Sequence, residues 1–110
     1  MTGAIFQCDF PFSGPWGAEM AATYNELAED IGSEEGLVWK IWTENAAEQR
    51  AGGIYLFTSL AEARRYACMH TERLTSLGVK NVVGRLFDIN EGLSAITRAP
   101  LAVLSRSKST

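Results

Sequence analysis

One histidine, two tryptophans three residues apart and two cations inside apolar runs are the residues here with chemistry to offer. His70 lies in MHTERL, within a segment whose apolar residues recur at helical spacing. On that stripe its imidazole faces the interior, where burial lowers its pKa and keeps a neutral base available. The competing reading is a core histidine hydrogen-bonded to backbone or to a tyrosine. Trp39 and Trp42 in LVWKIWTE point to opposite faces of a regular strand, because successive side chains alternate. The apolar neighbours of Trp39, Leu37 and Ile41, suit the helix-covered face where His70 also lies. Lys40 and Arg85 sit inside runs that otherwise read as buried strands. Such a charge needs a carboxylate such as Glu44 or Asp88, a salt bridge across a dimer, an edge position reaching water, or an anionic ligand group. Tyr24, Tyr55 and Tyr66 add hydroxyls that orient a phenol or serve as structural hydrogen bonds.

Other chemistries find no motif. The lone histidine and the two cysteines, Cys8 and Cys68, form no metal-ligand spacing and no disulfide framework. The paired glycines of AGGIYLF are not GxGxxG and stand at a strand rather than before a helix, so they mark a bulge or a close backbone approach. A net charge of -3 and a pI near 5.1 give no electrostatic case for nucleic acid or an anionic membrane. No signal peptide or membrane span is visible. With 46% hydrophobic and 21% charged residues, a soluble cytoplasmic domain is expected.

The elements that must position these residues follow one another in a readable order. AIFQCDF (Ala4–Phe10) reads as a strand. A helix follows, capped by Ser13 or Gly14 with Pro15 in its first turn, and runs to Ile31 on the stripe Trp16, Met20, Tyr24, Leu27, Ile31. LVWKIWTEN and GGIYLFT form a hairpin. Thr58 or Ser59 opens a second helix, with Leu60, Ala63, Ala67, His70, Leu74 and Leu77 on one face and Gly78 at its end. Val79–Ile89 is a fourth strand, and Glu91–Thr97 a short amphipathic segment. Residues 1–98 are expected to form the domain and residues 99–110 a frayed tail.

The order β-α-β-β-α-β predicts an α+β, ferredoxin-like domain with both helices on one face of a four-stranded antiparallel sheet. Both faces of that sheet are too apolar to be left wet. A second copy is the simplest cover, so a homodimer packed sheet to sheet is expected.

In this order the chain resembles the YdhR-like monooxygenase family, a branch of the dimeric α/β-barrel superfamily that includes the antibiotic-biosynthesis monooxygenases. The matching segments are FSGPWG, GLVWKIWTE, AGGIYLFT, HTERL and FDINEGLS. The resemblance implies a dimeric α/β barrel, an apolar pocket in each subunit and, for the wider superfamily, oxygenation of polycyclic phenols or quinone precursors without metal, flavin or haem. It implies the fold more firmly than the reaction. Cofactor-free oxygenation asks that the substrate's own phenolate or enolate give an electron to dioxygen, so the protein needs aromatic walls, one base and one or two cationic groups. His70 and Trp39 are the candidate catalytic residues. Trp42, Tyr24, Tyr55, Lys40 and Arg85 are the candidate substrate-binding residues, with no cofactor. Two other readings fit the same residues. One is a non-catalytic binding module for an apolar aromatic ligand. The other is a haem-binding or haem-degrading protein with His70 as ligand.

Overall fold

A central strand must find hydrogen-bond partners on both sides, and β1 (Ala4–Pro11) meets that demand between β3 (Arg50–Phe57) and β4 (Val83–Asp88). With β2 (Leu37–Asn45) beyond β3, the sheet order is β2-β3-β1-β4, antiparallel throughout. The computed structural model describes residues 3–101 and residue 104. Its helices are α1 (Gly17–Thr23), α2 (Asn25–Gly32), α3 (Leu60–Ser76) and α4 (Glu91–Ile96). This is the ferredoxin-like α+β arrangement expected. None of the described helices is long and apolar enough to cross a membrane.

The core lies between the sheet and α3. Phe6, Tyr55 and Phe57 point up from β1 and β3 to meet Ala63 and Tyr66 of α3, with Ile31 of α2 closing one side. Burying an aromatic side chain of this kind contributes about 1.5–3 kcal/mol. Ser59 caps α3 by accepting from the Glu62 N–H at 3.2 Å. Its far end closes as a Schellman motif: Gly78 N donates to Thr75 O at 3.0 Å and Val79 N to Leu74 O at 3.0 Å. Val79 is thus committed to the helix end, and β4 begins at Val83 rather than at Val79.

Two other boundaries differ from the periodic reading. The first helix is broken at Tyr24, whose backbone (φ -106, ψ 17) ends α1 and starts α2. Thr23 and Asn25 flank the break, both weak helix formers, yet Met20, Tyr24, Leu27 and Ile31 keep to one side across it. The helix also starts at Gly17 with no side-chain cap. Glu44 of β2 supplies an acceptor instead, taking the Gly17 N–H at 2.8 Å.

The larger difference is in β2. Leu37 pairs with Phe57, but Trp39 pairs with Leu56, because the register shifts between them. The extra residue, Val38, is a β-bulge, which turns over every side chain that follows it. Leu37 packs on the helix-covered core, whereas Trp39 and Ile41 point to the opposite face. Lys40 pairs with Tyr55 and Trp42 with Gly53, so these two face the helices.

The open face carries exposed Ile41, Val83 and Phe87. One end of it is covered by the segment after α4, where Trp39 Nε1 donates to the Pro100 carbonyl at 3.2 Å. Leu104 is 2% exposed. The rest of the expected tail (102, 103 and 105–110) lies outside the described residues.

Gly52 and Gly53 stand in a regular ladder with β1, opposite Asp9 and Cys8, so close approach and not a bulge explains them. A Cβ on Gly52 would fall on the Cys8 carbonyl oxygen and 2.7 Å from Asp9 Cα. Gly52→Ala is therefore expected to destabilise the domain by on the order of 3 kcal/mol, read as a lower urea midpoint. A Cβ on Gly32, at the end of α2, meets nothing within 4 Å, and Gly32→Ala should be neutral or stabilising by up to about 1 kcal/mol.

Candidate active site

Between the sheet and the helices the structure leaves a cavity of about 370 Å³. Its floor is Cys8, Tyr55, Lys40 and Trp42 from three adjacent strands, and its far wall is His70 and Leu74 of α3. Met20, Tyr24 and Leu27 of the broken helix form the remaining side. Five of the seven sequence-predicted site residues therefore meet in one place: His70, Trp42, Tyr24, Tyr55 and Lys40.

Trp39 and Arg85 are not among them. The expectation that Trp39 shares a face with His70 is corrected by the Val38 bulge, which puts Trp42 there and sends Trp39 under Pro100 on the open face. Arg85 is exposed on edge strand β4, opposite Gln7 and on the open face with Val83 and Phe87. It makes no ion pair among the described residues.

His70 is 4% exposed, with its ring stacked on Tyr66 at 5.1 Å and set edge-on to Tyr55 at 6.2 Å. Arg73, three residues along α3, places Nη2 at 2.9 Å from His70 Nδ1. A guanidinium only donates, so Nδ1 must accept and the proton of the neutral ring sits on Nε2. Burial lowers the His70 pKa to about 4, with Arg73 and then Lys40 adding to the effect. His70 is thus neutral near pH 7, but its second nitrogen is a donor, which makes it a poor base. The same polarity argues against haem: a ligating histidine normally donates its other N–H to an acceptor, whereas here that nitrogen faces a donor. Arg73 also reaches Asp30, with Nη1 at 3.4 Å from Oδ2, and Tyr66, with Nη2 at 3.4 Å from the hydroxyl.

Lys40 is the more unusual group. Its Nζ lies 3.4 Å from the Trp42 ring centroid and 4.5 Å from that of Tyr55, and no carboxylate pairs with it among the described residues. Gly53 makes the room, since a Cβ there would lie 2.5 Å from Lys40 Cε. Burial lowers the Lys40 pKa to about 7; Cys8 opposes that shift and Arg73 adds to it. Burial raises the Cys8 thiol, an effect tempered mainly by Lys40, and pushes Tyr55 upward as well. Among the described residues the buried Tyr55 hydroxyl has no hydrogen-bond partner.

The cavity thus combines an amine, an N–H and an O–H with aromatic walls, and none of its lining residues is acidic. Among the described residues no cluster of histidine, cysteine or carboxylate groups could hold a metal. Sequence reading missed Cys8 and Arg73. The i, i+3 spacing from His70 was a signal for Arg73, and alternation from Phe6 was one for Cys8.

A family model described as "Putative mono-oxygenase ydhR" matches residues 5–100. Among solved structures, the chain is similar to a variant of SnoaB, described as a cofactor-independent oxygenase from Streptomyces nogalater. The similarity has a TM-score of 0.59 at 17% identity and covers 82% of this chain and 95% of that one. No match is found among curated proteins.

Both shifted bases give a sign to the pH dependence. Lys40 is neutral in the folded state above about 7, while in the unfolded chain it stays protonated to about 10.4. The unfolded state therefore binds more protons, and stability rises with pH. Denaturation midpoints should increase from pH 7 to about 8, below the ionisation of the unfolded-state thiol of Cys8, whose raised folded-state pKa acts in the opposite sense above it. Lys40→Met should flatten that rise. By NMR titration His70 should ionise near pH 4, and higher in Arg73→Met.

Proposed function

The chain belongs to the YdhR mono-oxygenase family, and we propose that its helix-covered cavity oxygenates an aromatic phenol or enol without a cofactor. The observation that carries this reading is the set of donors without acidic partners, Lys40, His70 and Tyr55, inside an aromatic cavity. Such a set favours a ligand that enters as a neutral acid and is held as its anion.

The chemistry starts with Lys40. Its amine takes the hydroxyl or enolisable proton and becomes an ammonium beside the phenolate or enolate. That pairing repays the cost of the charge in a low-dielectric site. The anion gives one electron to dioxygen, forming a substrate radical and superoxide, and the two recombine at carbon as a peroxide. Collapse of the peroxide leaves a carbonyl and releases water, so a methylene becomes a ketone as one dioxygen is consumed. The N–H of His70 and the hydroxyl of Tyr55 supply hydrogen bonds to the oxyanions. Trp42 and Tyr24 are the aromatic walls for the ring. In this scheme the proton acceptor is Lys40, and His70 acts as a donor.

The open face supports a homodimer. Ile41, Val83 and Phe87 are 53%, 42% and 46% exposed there, and a second sheet laid over them removes this apolar surface from water.

Aerobic incubation with anthrone, followed with an oxygen electrode, tests the reading. Oxygen uptake should rise with pH through about 7 as Lys40 loses its proton. It should fall by roughly 10²–10⁴ in Lys40→Met while anthrone still binds. Binding of a broad panel of phenols with no uptake would leave a binding module instead. Sedimentation at micromolar concentration should show a dimer, and a monomer would sink the sheet-to-sheet account.

A further inference from the structure

We propose that Lys40 is also a carbonyl-capturing nucleophile: its amine condenses with an aromatic aldehyde or ketone in the cavity to form an imine. The geometry around Nζ carries this. A nucleophilic lysine needs a desolvated site and no carboxylate to hold it as an ammonium. The groups facing Lys40 are Trp42 on its own strand, Cys8 on β1, Tyr55 on β3, and His70 and Arg73 on α3. None is an acid that would hold a positive charge at neutral pH, and Arg73 opposes one. The absent side chain of Gly53 leaves the space that the Lys40 stem fills.

The reaction balances without redox chemistry. The amine lone pair adds to the carbonyl carbon, a C–N bond forms, and the carbonyl π electrons move to oxygen. One amine proton then passes to that oxygen. A second proton, taken from solvent water, lets that oxygen leave as water when the C–O bond breaks, and the iminium that remains returns one proton to solvent to leave a neutral C=N bond. His70 and Tyr55, whose hydroxyl has no partner among the described residues, are the donors available to polarise the carbonyl and stabilise the carbinolamine. The cavity's aromatic walls select an aryl carbonyl over a small aliphatic one. The lowered pKa of Lys40 leaves more of it as free amine at neutral pH than an ordinary lysine, so its labelling should outpace theirs.

The test uses 2-naphthaldehyde and cyanoborohydride at pH 7, with intact mass and peptide mapping. The probe lacks an acidic hydroxyl, so its capture does not depend on whether the cavity oxygenates phenols. Labelling of Lys40 is expected alongside that of the α-amine, whose pKa is about 8, and not of Lys80 or Lys108. In Lys40→Arg, shown to be folded by circular dichroism, the label at position 40 should vanish. In Gly53→Ala, where the stem is displaced and the amine retained, labelling should slow severalfold. The Lys40 labelling rate should level off above pH 8 while that of the other lysines keeps climbing. Labelling spread over Lys80, Lys108 and the N-terminus with Lys40 unmodified would overturn the proposal, as would a Lys40 rate no faster than that of Lys80.

Discussion

A strand has a side-chain period of two, so one extra residue exchanges the faces of everything beyond it. Val38 is that residue in β2. Before it, Leu37 packs into the core; after it, Lys40 and Trp42 face the helices, and Trp39 and Ile41 face the open side. Without the bulge Trp39 would stand over α3, and the cation would project from the opposite face. The cavity would then lose its amine and the ring beneath it. Site composition depends on this local irregularity more than on any single contact.

The consequences of that placement are electrostatic. An amine turned into an aromatic cavity loses its hydration and gains only ring faces, 3.4 Å away at Trp42 and 4.5 Å at Tyr55. Cation–π attraction of this kind amounts to about 0.5–2 kcal/mol, too little to offset burial of a full charge. The group gives up its proton more readily instead, and a basic site appears without any carboxylate or metal. Arg73 acts in the same direction on both neighbours. It occupies the acceptor nitrogen of His70 and disfavours charge at Lys40, so the histidine becomes the donor and the lysine the acceptor. A sheet chosen only for stability would carry an apolar residue at position 40.

Much of the fold was legible because its signals are local. Ser59 caps α3 through its own oxygen, and Gly78 ends the same helix in a backbone motif that needs a left-handed residue. The apolar, β-branched and aromatic runs AIFQCDF and GGIYLFT were readable as strands from their own composition. His70 was legible as buried from its place on the α3 stripe. The bulge was not, since Val38 is a β-branched residue that fits a regular strand as well as an irregular one. Nor was the break at Tyr24, where the apolar stripe continues across it. The polarity of His70 needed the side-chain position of Arg73, which spacing permits but does not require.

By itself, then, the amino-acid sequence determined the element order, the two-sided apolar sheet and the set of residues from which a site could be made. Those properties follow from periodicity and capping, which act over a few residues. Only the tertiary structure decided which tryptophan meets the histidine, which group holds the proton and what covers Trp39. Each of these turns on a register or a contact between segments far apart in the chain, where β2 meets β3 at Leu56 and Pro100 meets the open face.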